Sequence, residues 1–106
     1  MFSHLANSDR RQFVETGFPG VTVSTIWADN STGADYIAFK AGAVFPHHDH
    51  EGKEEIYMIS GKIRFGDIVV SAGDYLSAHP GDVHDAEALE DSVFFIAHIG
   101  GAVIKS

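Results

Sequence analysis

Turn-forming pairs punctuate this sequence so densely that no element between them can be long. Pro19-Gly20, Gly66-Asp67, Gly73-Asp74 and Pro80-Gly81 cut the chain into short pieces, and Gly occurs 11 times in 106 residues. Between the turns lie runs rich in Val, Ile, Phe, Tyr and Thr, side chains that suit a pleated, half-buried surface. Strands are expected at 21–28, 35–39, 45–50, 54–60, 62–65, 68–70, 75–78, 83–88 and 92–99, with a tail strand at 102–104. The clearest hairpin is KIRF-GD-IVV, where Ile63 and Phe65 alternate with Lys62 and Arg64 around a Gly-X loop that suits a type II′ turn. No window sustains an i, i+3, i+4 apolar stripe. The one helical candidate is a turn or two over 9–15, with Ser8 or Asp9 as its cap. Eight to ten short strands in one small domain predict an all-β sandwich or barrel, in which closing or doubling the sheet removes a long bare edge.

Composition narrows the function classes. The absence of Cys excludes disulfide frameworks, Cys-based zinc modules, iron–sulfur clusters and thiol nucleophiles. Fifteen acidic residues against seven Lys and Arg give a net charge of −8, which repels phosphate backbones, so no nucleic-acid partner is expected. The opening stretch MFSHLANSDRRQF lacks the apolar core of a signal peptide. The apolar runs fall far short of the roughly 20 residues that span a bilayer. The expectation is a cytoplasmic protein without a membrane partner, with 1–20 as an N-terminal arm and 21–106 as one barrel domain.

The chemistry concentrates in two segments, GAVFPHHDHEGKEEIYMISG (42–61) and GDYLSAHPGDVH (73–84). His48 and His50 are two apart, so on a strand both leave the same face, about 6.6 Å apart along it. Imidazoles so placed can lean onto one divalent ion at about 2.1 Å. Glu51-Gly52-Lys53 reads as a turn, after which Glu54 could reach the same ion, and His84 offers a further imidazole. Glu55 is the rival carboxylate, because a slip of one residue exchanges the inward and outward faces. His47 is expected to point away and His79 to sit in a solvated turn; His98 could line a pocket or be a satisfied core histidine. Asp49, Lys53 and Asp85 read as solvated charges. Trp27, Tyr36, Phe39, Phe45, Tyr57, Met58 and Phe95 suit plain core as readily as pocket lining.

These segments resemble the two motifs of the cupin superfamily. The first, G-x5-H-x-H-x3–4-E-x6-G, is matched by Gly42, His48, His50, Glu54 and Gly61. The second, G-x5-P-x-G-x2-H-x3-N, is matched at Gly73, Gly81 and His84, with His79 standing for the proline and Ala88 for the asparagine. Pro80, one place later, can supply the same stiff turn. Phe18-Pro19-Gly20, HxHxxxEE and Pro80-Gly81 before His84 make the sequence similar to the ChrR-type cupins in particular. The resemblance implies a double-stranded β-helix, or jelly-roll barrel, with His48, His50, Glu54 and His84 as metal ligands. ChrR anti-sigma factors also carry a helical domain with a His/Cys zinc site, for which this Cys-free sequence offers no counterpart.

Three imidazoles and one carboxylate suit a single iron(II), manganese, nickel, cobalt or zinc ion per chain. Four protein ligands on an octahedral ion leave two positions for water, a small-molecule substrate or dioxygen. Cupins similar to this sequence include diketone- and hydroxyacetophenone-cleaving dioxygenases, quercetinases, isomerases and metal-dependent sensors. The expected function is therefore a metal-dependent oxidoreductase, a dioxygenase-like enzyme of small polar or aromatic molecules. The alternatives are a non-catalytic metal- or ligand-sensing cupin and a metal-dependent isomerase. A homodimer is expected as well, since small cupins pair through their sheets, with Phe13, Val21, Val23 and the tail near Val103 as interface candidates.

Overall fold

Apolar alternation folds the chain into two antiparallel sheets that face each other across one core. The structure is a computed structural model and describes residues 2–105. Its strands are β1 Val14–Glu15, β2 Val21–Asp29, β3 Thr32–Phe39, β4 Val44–His50, β5 Glu54–Ser60, β6 Lys62–Phe65, β7 Ile68–Ser71, β8 Tyr75–Ala78, β9 His84–Ala88, β10 Ser92–His98 and β11 Ala102–Ile104. One sheet has the order β1-β2-β3-β10-β5-β8, the other β11-β4-β9-β6-β7. After β3 the chain crosses between sheets at almost every connection, and only the β6–β7 hairpin stays in one sheet. That winding is the all-β jelly-roll barrel expected from the sequence.

Three neighbouring strands of the six-stranded sheet set the character of the interior. Their inward rows run Phe39, Ile37, Asp35 on β3, then Phe94, Ile96, His98 on β10, then Met58, Ile56, Glu54 on β5. Phe94 lies beside Met58, Ile96 beside Ile56, and His98 beside Glu54. Each row is apolar at one end and polar at the other, so the barrel has a dry end and a chemical end. The dry end holds the core, where Val21, Phe39, Met58, Ile63, Phe65, Val70 and Phe94 are buried together with Ala86 and Ala88. Burial of such side chains contributes roughly 1.5–3 kcal/mol each, which is what holds the sheets together.

Three expectations need correction. The helix expected over 9–15 is absent. Ser8–Arg10 forms a single 3₁₀ turn without a side-chain cap, and Val14–Glu15 pairs with Val23 and Thr22 as a strand. With no apolar stripe to bury, that segment gains more from the free edge of β2 than from a helix. Strand β3 starts at Thr32 rather than 35, because Asn30 takes a positive φ of 58° and closes a two-residue turn between Asp29 and Thr32. Val21, offered above as an interface residue, lies in the core at 2% exposure. The Gly66-Asp67 hairpin is as expected, with Gly66 at φ 59° between paired Phe65 and Ile68.

Two glycines of the first histidine segment separate backbone strain from packing. Both Gly42 (φ 86°) and Gly61 (φ 82°) hold left-handed backbone. A Cβ on Gly42 would meet open space, whereas one on Gly61 would overlap Ser92 Oγ and the Asp91 carbonyl. Gly42→Ala should cost about 1 kcal/mol of strain alone. Gly61→Ala should cost at least about 2 kcal/mol, because the β5–β6 turn must also move off β10. Equal midpoint shifts for the two variants in urea denaturation would contradict this packing.

Candidate metal centre

Strand pairing, not chain proximity, assembles the site. His48 and His50 leave the same face of β4, and His48 pairs directly across the sheet with His84, the first residue of β9. The ring centroids lie 4.6 Å apart for His48–His84, 4.9 Å for His48–His50 and 5.0 Å for His50–His84. One ring nitrogen from each comes within 4.8 Å of the others. His48 Nδ1 lies 2.9 Å from the Pro46 carbonyl and His84 Nδ1 lies 3.1 Å from the Asp85 carbonyl. Each Nδ1–H therefore donates to backbone, which leaves the Nε2 lone pair turned inward.

The nitrogen atoms of this cluster test whether a metal fits. His84 Nε2 and both ring nitrogens of His50 are buried without a hydrogen-bond partner among the described residues. Leaving such groups unpaired costs about 1–3 kcal/mol each. A divalent ion of the borderline class would take up the lone pair of His84 Nε2 and that of one His50 ring nitrogen, each residue offering one ligand atom, and the donor set suits one. Burial lowers the His48 pKa, against the Pro46 carbonyl and with help from the neighbouring imidazoles. Burial followed by the His84 ring lowers that of His50. Both rings are thus held neutral, the state a ligand needs.

Glu54 opens β5 beside this cluster. Its side chain is 13% exposed, and Oε2 lies 3.4 Å from His50 Nε2 without hydrogen-bond alignment. Burial raises its pKa to about 7, against the opposing influence of His98. Glu55 faces outward and accepts a 2.6 Å hydrogen bond from the Tyr75 hydroxyl. His47 and His79 are exposed. His79 sits in the turn before β9, its backbone N–H donating to Asp82.

Two of the residues read as solvated charges prove to be braces. Asp49 Oδ1 accepts the backbone N–H of His50 at 2.7 Å and that of Gly81 at 2.8 Å, and these bonds hold its carboxyl below the usual range. It thereby ties the strand carrying His48 and His50 to the turn that delivers His84. Asp85 takes a bidentate pair of bonds from Arg64 at 3.0 and 3.1 Å, fastening β9 to β6 beside His84. A signal for Asp49 was available. A residue between two inward imidazoles must point to the opposite face, where the loop returning to β9 has to pass.

The cluster opens into a cavity of about 200 Å³. Phe39, Phe45, Ile37, Ile56, Phe65, Phe94 and Ile96 supply its apolar wall, and Asp35, Glu54 and His98 its polar side. Of the residues left open above between core and pocket, Phe39 and Phe45 line the cavity and Met58 is core. Tyr57 is exposed, Tyr36 and Phe95 pack on each other, and Trp27 stacks on His4. His98 satisfies both readings, since it lines the cavity and both its ring nitrogens are hydrogen-bonded.

A jelly-roll barrel with imidazoles from two paired strands converging on its interior is a cupin. More narrowly, the chain belongs to the ChrR Cupin-like domain family, whose model matches residues 3–103. It is 40% identical over 73 residues to the DNA damage-repair/toleration protein DRT102 of Arabidopsis thaliana; the match takes in 60% of this chain and 23% of that relative's length. Its fold matches an acetylacetone dioxygenase from Acinetobacter johnsonii with a TM-score of 0.82, at 18% identity, over 96% of this chain and 76% of that one. It matches a chain of the Rhodobacter sphaeroides SigE complex with the anti-sigma ChrR with a TM-score of 0.76, at 21% identity, over 88% and 51%. The polyketide cyclase RemF of Streptomyces resistomycificus matches with a TM-score of 0.80, at 14% identity, over 99% and 87%. At such identities the structural likenesses show the fold. Among the described residues no helix is long and apolar enough to cross a membrane.

The buried Glu54 carboxyl sets a pH-dependent difference in stability. Its folded pKa of about 7 stands above the ordinary 4.5, so the metal-free folded state binds more protons than the unfolded one between those values. Its contribution is present below pH 4.5 and lost as pH rises through 7. His48 and His50, shifted the other way, lose stability as pH falls below 6.5 and are common to both proteins compared. Metal-free Glu54→Gln should therefore gain on the wild type as pH rises, by up to about 3 kcal/mol at pH 8. A pH-independent difference in urea midpoints would contradict the buried placement of Glu54.

Proposed function

We propose that this cupin is a mononuclear metal-dependent oxygenase of small enolisable or phenolic molecules, with His48, His50, His84 and Glu54 holding one divalent ion. The observation that carries the reading is the set of buried, partnerless imidazole nitrogens opening into an apolar cavity rather than into a closed protein shell. A structural ion would sit in a closed shell, often tetrahedral. When bound, the ion would supply Lewis acidity toward a chelated enolate or phenolate and, if redox-active, reactivity toward dioxygen.

The chain's own residues do the rest. The Pro46 and Asp85 carbonyls hold the His48 and His84 rings in one tautomer, so their Nε2 atoms face the cavity without rearrangement. Glu54 as fourth ligand would offset one charge of a divalent ion and leave a net positive centre that favours an anionic oxygen. Phe39, Phe45, Ile56 and Ile96 exclude water around the bound molecule. The fold-level likeness to the Acinetobacter johnsonii dioxygenase supports the reading. Homodimer formation belongs to the same proposal, with Phe13 and Val103 exposed on the surface and Val23 half-buried.

Membership of the ChrR Cupin-like domain family favours a second reading, a metal- or ligand-sensing module without turnover. Iron-loaded and zinc-loaded protein, screened for oxygen uptake with diketones, catechols and hydroxyacetophenones, distinguishes the two. The oxygenase reading expects uptake with iron at least about tenfold above zinc, lost in His84→Ala and kept in His47→Ala. Equal turnover with both metals would point to isomerase chemistry. Tight ligand binding without turnover under either metal would favour the sensor.

A further inference from the structure

Asp35 and His98 form a polar pair on the cavity wall that the ion-binding residues do not use. They lie on adjacent strands β3 and β10, at the ends of rows otherwise filled by Phe39 and Ile37 and by Phe94 and Ile96. Strand alternation alone would place two more apolar side chains there. Replacing such a pair with apolar residues is often neutral or stabilising, so its placement on a cavity wall calls for an account beyond packing.

The hydrogen bonds define what the pair offers. His98 Nε2 lies 2.7 Å from Asp35 Oδ2, and Nδ1 lies 2.8 Å from the Gly100 carbonyl. A carbonyl and a carboxylate only accept, so the ring donates from both nitrogens, which only the imidazolium can do. His98 consequently has no N–H left for a ligand. Asp35 does have an atom to offer, since Oδ1 takes no hydrogen bond among the described residues.

We propose that Asp35 Oδ1 is the specificity group of this cavity, accepting a hydrogen bond from the hydroxyl of a neutral phenol- or enol-type molecule, with His98 as the positioning residue that fixes the carboxylate. The His98 charge offsets that of Asp35, so a cationic ligand gains little, while a hydroxyl keeps a directional, charge-assisted bond. Oδ1 can only accept, so a ligand presenting an unprotonated oxygen in place of the hydroxyl has no hydrogen to give it. The inference rests on the cavity being a small-molecule site, as proposed above, but requires no bound ion.

Phenol and its methyl ether anisole, titrated separately into metal-free protein and followed by NMR, test it. The wild type should bind phenol about tenfold more tightly, as expected for a buried hydrogen bond to a charged group. The double variant Asp35→Leu/His98→Leu, an apolar pair that should retain the fold, should bring the two affinities within about twofold. His98→Gln, which keeps a donor toward Asp35, should retain the preference. Equal affinities in the wild type, a preference that survives in the double variant, or its loss in a folded His98→Gln would each overturn the proposal. Failure of both probes to bind at millimolar concentration would overturn it together with the small-molecule reading of the cavity, whereas equal binding would overturn it alone.

Discussion

Three imidazoles packed within 5.0 Å of one another inside a barrel are the constraint around which the rest of this molecule is arranged. Burial of His48 and His50 disfavours their charged forms, and the inward nitrogens of His50 and His84 have no hydrogen-bond partner among the described residues. The backbone answers part of that demand through the Pro46 and Asp85 carbonyls. Asp49 and Arg64 answer another part from behind, tying β4 to the turn before His84 and β9 to β6. What remains are partnerless nitrogens on His50 and His84, grouped with His48 within 4.8 Å, together with a carboxyl, Glu54, whose pKa burial raises to about 7. A fold selected for stability alone would have little reason to keep such a cluster.

The barrel separates stability from chemistry along the length of its strands. Phe39, Phe94 and Met58 seal one end, while Asp35, His98 and Glu54 continue the same rows at the other. Rigid neighbours on the same strands thus hold the polar groups, which limits their freedom without asking a loop to position them. The apolar wall also strengthens every electrostatic interaction within the cavity. A polar group there has large consequences in either direction, stabilising when partnered and costly when not.

Much of this arrangement was legible in the sequence, for identifiable reasons. The turn pairs and β-branched runs marked strands such as 54–60 and 62–65, because period-two alternation with one buried face is a strong local signal. The spacing of His48 and His50 carried their shared face, and the motif offsets pointed to His84 from 34 residues further along the chain. Less legible were features decided by distant partners. Val14–Glu15 became a strand only because β2 had a free edge, and the helical reading of 9–15 lacked that information. Asp49 and Asp85 read as solvated because their donors, the Gly81 amide and the Arg64 guanidinium, lie 32 and 21 residues away. The Asp35–His98 pair spans 63 residues and carries no motif, so only the folded sheet brings it into view.

The proposal that His48, His50, His84 and Glu54 hold one divalent ion is most directly tested by anomalous diffraction from crystals of cobalt-loaded protein, collected at the metal edge. The expected map has one peak per chain, within about 2.0–2.2 Å of a ring nitrogen of each of the three histidines and of a Glu54 carboxylate oxygen. A peak elsewhere, at His79 or the surface carboxylates, or a peak that Glu54 does not reach, would contradict the assignment.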